Sequence, residues 1–132
     1  MLQISNIYAG YAERAPVLRD VSLSVFEHSV TALMGRNGVG KSTLLKLLFG
    51  YLTLKKGNIQ FKGHNIEDKK PAELHGLGIS FCPQERSVFD NLSVLENLSL
   101  MRQRRDVSDL KFYFEQFPIL NERLTQSAGT LS

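Results

Sequence analysis

Leu2-Gln3-Ile4-Ser5-Asn6-Ile7 alternates apolar and polar residues, and so does Val21-Ser22-Leu23-Ser24-Val25. A period of two sends successive side chains to opposite faces, so both stretches read as half-buried strands. Val30-Thr31-Ala32-Leu33-Met34 follows a turn at Phe26 to Ser29 and is a short apolar run suited to a buried strand. Leu44-Leu45-Lys46-Leu47-Leu48-Phe49 is apolar enough for a largely buried helix, with Gly50 placed to stop it. Lys55-Lys56-Gly57 is a turn signal, Asn58-Ile59-Gln60-Phe61 alternates again, and Lys62-Gly63 marks a second turn. Ile66-Glu67-Asp68-Lys69-Lys70 is a solvated charge run. Pro71 to His75 fits a short helix with proline in its first turn. Ile79-Ser80-Phe81-Cys82 reads as a short apolar strand that Pro83-Gln84 stops.

No strand is evident after Cys82. Ser93-Val94-Leu95-Glu96 has the form of a capping box, in which the serine and glutamate side chains satisfy each other's backbone N–H groups. Leu95, Leu98 and Met101 carry helical spacing. A second helix is expected from about Ser108 to Gln116, with Leu110, Phe114 and Phe117 near one face and Phe117-Pro118 as its break. A short third helix is expected from Asn121 to Leu124. The order is strands, a short α/β section, then helices.

Gly35-Arg36-Asn37-Gly38-Val39-Gly40-Lys41-Ser42-Thr43 lies between the apolar run and the first helix and matches G-x-x-x-x-G-K-[ST], the phosphate-binding P-loop. Glycines permit positive φ and let the backbone approach a ligand. Successive N–H groups then form an anion nest, and the positive end of the following helix adds to the same field. Lys41 would face the β- and γ-phosphates, and Ser42 would offer its hydroxyl to Mg²⁺. A glycine-rich turn that binds nothing would not account for Lys41-Ser42 at the motif's offset between a strand and a helix.

Composition narrows the picture only slightly. An apolar share of 42% and a charged share of 22% are ordinary for a globular domain, and 132 residues suffice for one modest core. The net charge of +3 is too mild, and too little clustered, to point to nucleic acid. No run is long and apolar enough to cross a bilayer, and Met1 to Ser5 lacks the features of a signal peptide, so the cytoplasm is the expected compartment. Cys82 is the one cysteine, so no internal disulfide is possible; at a strand end it reads as a small buried apolar residue. His28, His64 and His75 show no metal-ligand spacing with it. Arg102, Arg104 and Arg105 read as the solvated end of a helix.

A family resemblance covers the whole chain. Leu18-Arg19-Asp20-Val21-Ser22-Leu23 is similar to the strand before the Walker A motif of ATP-binding-cassette (ABC) nucleotide-binding domains, and Thr31 to Leu45 closely matches the Walker A region. Gly57 to Gly63 resembles the family's G-x-I-x-x-x-G hairpin. Phe81-Cys82-Pro83-Gln84-Glu85-Arg86-Ser87-Val88-Phe89, followed by Leu92 to Leu98, resembles the Q-loop and the opening of the helical subdomain. This version looks most like the ATP-binding subunits of branched-chain amino acid and related urea importers. The resemblance implies an α/β P-loop NTPase fold, incomplete, with antiparallel strands at its N-terminus. It divides the chain into a partial core at 1–84 and the start of the helical subdomain at 85–132.

The resemblance also implies roles. Tyr11 would stack on adenine, with Tyr8 as the neighbouring alternative. Gly35, Arg36, Asn37, Gly38, Val39, Gly40, Lys41, Ser42 and Thr43 would hold the phosphates of ATP. Ser42 and Gln84 would touch Mg²⁺, and Gln84 would report the γ-phosphate to a transmembrane partner. The implied partners are permease subunits and a second nucleotide-binding subunit packed head to tail. The implied location is the inner face of the cell membrane, held peripherally.

Two departures stand out. His28-Ser29 replaces the family's usual Gly-Glu, which is expected to strain the turn before the P-loop. Ala128-Gly129-Thr130-Leu131-Ser132 resembles the lead-in to the LSGGQ signature and includes only its first two residues. No Walker B strand is found; Phe112-Tyr113-Phe114-Glu115 is the nearest candidate and sits in a helical context. Hydrolysis in P-loop ATPases needs that carboxylate and a group that orients water. These residues alone are therefore expected to bind nucleotide weakly, with hydrolysis near background. Unpaired sheet edges and exposed apolar surface are also expected. The reading that competes with an importer ATPase is a nucleotide-binding fragment without transport function. A different P-loop NTPase would leave the Q-loop passage a coincidence.

Overall fold

The computed structural model describes residues 1–11, 15–84, 87–100 and 110–131. They group into two compact units, Met1–Phe81 and Cys82–Ser132. The first contains an antiparallel sheet of β1 (Leu2–Ala9), β2 (Leu18–Val25), β3 (Leu54–Phe61) and β4 (His64–Asn65), in the order β2-β1-β3-β4.

The sheet is not regular. Strict alternation would put Ile4 and Ile7 on opposite faces, yet both are buried in the same core. The chain solves this with a bulge: Ile4 pairs with Leu23 and Ile7 with Val21, leaving one extra residue on β1. Asn6 takes φ +49° there. An extra residue on β2 between Leu18 and Val21 compensates, so Ala9 still meets Leu18. Asp20 stands in that stretch at φ +53°. A matching pair of shifts runs along β3, where Gly57 takes φ +105°. Lys55-Lys56-Gly57 is therefore not a turn. It lies inside β3, and its glycine is needed because a Cβ would stand 2.6 Å from the Asn6 carbonyl oxygen and 2.7 Å from Ile7 Cα.

Helix α1 (Lys41–Leu48) and helix α2 (Pro71–Gly76) complete the first core. Leu44 and Leu47 of α1 and Leu74 of α2 cluster with Ile4, Ile7 and Ile59 of the sheet. Burial of each such side chain contributes roughly 1.5–3 kcal/mol. The end of α1 is as expected. Gly50, at φ +75°, donates to the Leu47 carbonyl at 3.0 Å, and Tyr51 N–H donates to Lys46 at 2.9 Å. This is the Schellman closure, which satisfies carbonyls the helix end would leave bare. Pro71 occupies the first turn of α2, where a missing N–H costs nothing.

Two expected strands do not form. Val30–Met34 pairs with no strand among the described residues, and the Val30 and Met34 side chains are exposed at 101% and 86%. Ile79–Cys82 likewise joins no ladder, although Ile79 packs on the core. A buried strand takes its hydrogen bonds and both of its covered faces from neighbours, and the described residues of this chain supply none to these runs. Cys82 is exposed rather than buried. β2 is an open sheet edge, as anticipated.

The second unit is helical: α3 (Val94–Ser99), α4 (Lys111–Gln116) and α5 (Pro118–Glu122), then a 3₁₀ turn at Ala128–Thr130. The capping box forms, with Glu96 N–H donating to Ser93 Oγ at 3.2 Å and Ser93 N–H to Glu96 Oε2 at 2.9 Å. The third helix starts earlier than expected, at Pro118, because proline is favoured in a first helical turn. Met101, Arg102, Arg104, Arg105 and the expected helix start at Ser108 lie outside the described residues.

Candidate nucleotide site

The loop from Gly35 to Gly40 runs into α1 and is shaped by its glycines. Gly35, Gly38 and Gly40 take φ of +153°, +83° and +104°. The loop is exposed along most of its length. Nothing lies within 4 Å of a Cβ built on Gly38, so its glycine answers to backbone conformation and not to crowding. Gly40 answers to both, since its Cβ would stand 2.9 Å from Leu18 Cδ2. Leu18, at the start of β2, thus supports the point where loop becomes helix. Nothing in the sequence marked Leu18 for this part, because the contact joins residues distant along the chain.

Gly40 caps α1 without a side-chain acceptor, so the helix opens on backbone N–H groups that no cap side chain occupies. The Lys41 ammonium turns back over the loop and donates to the carbonyls of Gly35 at 2.8 Å and Arg36 at 2.7 Å. Its charge is thereby held over the Gly35–Arg36 end of the loop. Ser42 is exposed beside it, and Thr43 is buried with 6% of its surface accessible. Among the motif residues, Val39 is 54% exposed and Arg36 and Asn37 are also exposed.

The arrangement has the parts an anionic phosphate chain requires: free helix-end donors, a positive dipole end and one positioned ammonium. A Mg²⁺ ion accompanying the phosphates would find the exposed Ser42 hydroxyl, an oxygen donor of the hard type that Mg²⁺ prefers. Lys41 and Ser42 would hold the pair, and the ion would neutralise phosphate charge. No group of His, Cys, Asp and Glu among the described residues could hold a metal ion without such a ligand.

Tyr11 and Gln84 fall in different units. Tyr11 follows β1 in the first unit and is 43% exposed. Tyr8 is half-buried and lies under Lys56 Nζ, 5.3 Å from its ring centre, so it is already engaged. Gln84 belongs to the second unit and is exposed. His28 takes φ +54°, the left-handed conformation that its substitution for glycine led one to expect.

The pattern of a known family, described as ABC transporter, matches residues 18–132. The chain is similar to a probable branched-chain amino acid transport ATP-binding protein, LivF, of Archaeoglobus fulgidus: 38% identical, with 100% of this chain and 57% of that protein covered. It is 34% identical to the high-affinity branched-chain amino acid transport ATP-binding protein BraG of Pseudomonas aeruginosa, covering 100% of this chain and 58% of the relative. The ribose import ATP-binding protein RbsA of Halalkalibacterium halodurans is 35% identical over 79% of this chain and 21% of its own length. The chain therefore spans little more than half the length of the two branched-chain relatives. Among solved structures, a nucleotide-free ATP-binding cassette from an ABC transporter superposes with a TM-score of 0.79 at 29% identity, over 100% of this chain and 59% of that one.

Proposed function

Starting from the fact that this chain belongs to the ABC transporter family, we propose that it binds Mg-ATP as part of the energy-coupling subunit of an importer. The observation that carries the proposal is the Lys41 ammonium held over a glycine loop that opens directly into α1. Phosphate binding needs donors and positive charge converging on one point, and this loop supplies both.

In this reading Gly35 to Thr43 hold the phosphates, Tyr11 stacks on the adenine, and Gln84 senses the γ-phosphate. The chain's own residues bind and orient nucleotide. Hydrolysis requires a carboxylate and a water-orienting group that the reading assigns to none of them. Permease subunits and a second nucleotide-binding subunit are the proposed partners, on the cytoplasmic side of the membrane. No helix among the described residues is long and apolar enough to cross it.

The proposed solute is a branched-chain amino acid or a related small solute such as urea. Support comes from two relatives named for branched-chain amino acid transport, of which the chain covers 57% and 58%. Similarity to a ribose import protein keeps sugars as the rival class. Disrupting the gene and following labelled leucine and ribose uptake separates them. Loss of leucine uptake alone supports the proposal, and loss of ribose uptake alone overturns the solute assignment. The nucleotide assignment is tested by calorimetry of Mg-ATP against the chain and its Lys41→Ala variant, with hydrolysis assayed on the same sample. Binding that depends on Lys41 supports it. Equal affinity in the two proteins refutes the P-loop role.

A further inference from the structure

The second unit contains a carboxamide that ties a loop to itself from the inside, and that loop in turn holds a segment far along the chain. We infer that Asn97 is a positioning residue: acting through the Phe89–Ser93 loop, it sets the placement of Ser127–Leu131. The inference rests on the reading above in one respect, since that reading makes Ser127–Leu131 the lead-in to the ABC signature.

Asn97 sits on α3 with its side chain turned toward the loop that precedes the helix. Its Oδ1 accepts from Phe89 N–H at 2.8 Å. Its Nδ2 faces the carbonyls of Phe89 at 3.0 Å, Ser93 at 3.0 Å and Leu92 at 3.3 Å. A primary amide has an NH₂ with two donors and an oxygen acceptor, and both ends of this one serve the same loop. All four contacts are to backbone groups, so Asn97 acts on the path of the loop whatever side chains the loop carries.

The same loop presents its carbonyls to the later segment. Asp90 accepts from Ser127 Oγ at 2.6 Å and from Gly129 N–H at 3.1 Å. Leu92, which also faces Asn97, accepts from Ala128 N–H at 2.9 Å. Ser93 and Ser127 form an isolated antiparallel bridge. The approach is close: a Cβ on Gly129 would stand 2.8 Å from Asp90 Cβ. The segment also closes the start of α3, where Val94 N–H donates to Gln126 at 2.9 Å and Leu95 N–H to Leu124 at 2.8 Å. Those are helix-end donors with no partner inside the helix. Loop, helix start and later segment thus share one set of hydrogen bonds, and displacing the loop displaces the segment.

Hydrogen exchange of the backbone amides in the full 132-residue chain reads this coupling. Asn97→Asp keeps an oxygen for Phe89 N–H but replaces the donor that faces three carbonyls. The expected result is that Phe89 keeps most of its protection while Ala128 and Gly129 exchange about tenfold faster or more. Unchanged exchange at Ala128 and Gly129 overturns the inference. Should Asn97→Asp loosen the whole unit, including Phe117 in the turn after α4, Ser127→Ala decides instead. It removes only the hydroxyl on Asp90, and several-fold faster exchange at Phe89 is expected. No change at Phe89 then overturns the inference. Calorimetry of Lys41→Ala on the same preparation tests the nucleotide reading separately. Its failure would remove the functional meaning of the segment and leave the exchange results intact, so the two failures are distinguishable.

Discussion

Lys41 Nζ donates to the Gly35 carbonyl oxygen across 2.8 Å, so the motif's last cation closes a ring with its first glycine. An ATP phosphate must replace that carbonyl and the Arg36 carbonyl as acceptors. The exchange is favourable because hydrogen bonds between ionised partners are stronger than those to a neutral carbonyl. Lys41→Ala should therefore lower Mg-ATP affinity by at least about tenfold, from the loss of roughly 1.5–3 kcal/mol of charge-assisted contact. Titration calorimetry measures the change, and equal affinity would contradict the site.

Gly50→Ala and Gly63→Ala form a matched pair. Both glycines sit at similar positive φ, +75° and +81°. A Cβ on Gly50 would stand 2.7 Å from the Lys69 carbonyl oxygen, whereas one on Gly63 meets nothing within 4 Å. Gly63→Ala should cost about 0.5–1 kcal/mol, the left-handed backbone penalty of about 1–2 kcal/mol less the roughly 0.5–1 kcal/mol of unfolded-state entropy that alanine removes. Gly50→Ala should cost at least about 1 kcal/mol more, since backbone must move. Urea unfolding of the two variants gives the difference, and equal losses would mean that the close approach at Gly50 is absent in solution.

Gly57→Ala tests the bulge. Its Cβ would meet backbone of β1 at 2.6 to 2.7 Å on three sides, in a conformation at φ +105°. A loss of about 3 kcal/mol or more is expected, among the largest single-residue effects in the first unit. Wild-type stability in this variant would show that Lys55-Lys56-Gly57 is a turn after all.

His28→Gly should do the opposite and stabilise. The residue takes φ +54° with an exposed side chain. Removing the Cβ relieves roughly 1–2 kcal/mol of left-handed strain, partly offset by the about 0.5–1 kcal/mol of extra unfolded-state entropy that glycine brings. The net gain is about 0.5–1 kcal/mol, visible as a rise in the unfolding midpoint. A loss of stability would mean that the imidazole makes a contact that outweighs the strain.

Ser93→Ala should cost about 1 kcal/mol by removing the cap of α3. Ser93 Oγ both accepts from Glu96 N–H and donates to Glu96 Oε2 at 2.8 Å, so the glutamate loses one partner while keeping the Ser93 N–H at 2.9 Å. Faster exchange of the Glu96 amide measures it; unchanged exchange would place the cap elsewhere.

Much of this protein was legible because the deciding physics is local. Gly35 to Thr43 is read from glycine conformational freedom and a lysine at a set offset, Ser93 to Glu96 from reciprocal capping, and Gly50 from the needs of a helix end. The terms involved span a few residues, so sequence alone determined them. What tertiary structure decided involves partners distant in the chain. Ile4 and Ile7 share a face because β1 carries an extra residue between them, where Asn6 takes positive φ opposite Gly57, and Asn6 Nδ2 bonds Asp20 Oδ1 at 2.9 Å across that irregularity. Val30 to Met34 has the composition of a buried strand and stands exposed, because apolar content states a preference for burial while pairing requires a neighbour. Asn97 reads in the sequence as one polar helical residue among others; its own partners lie four to eight residues away, and what the fold adds is the contact of that loop with Ser127, Ala128 and Gly129. Contacts such as these join residues far apart in sequence, and only the folded backbone brings them together.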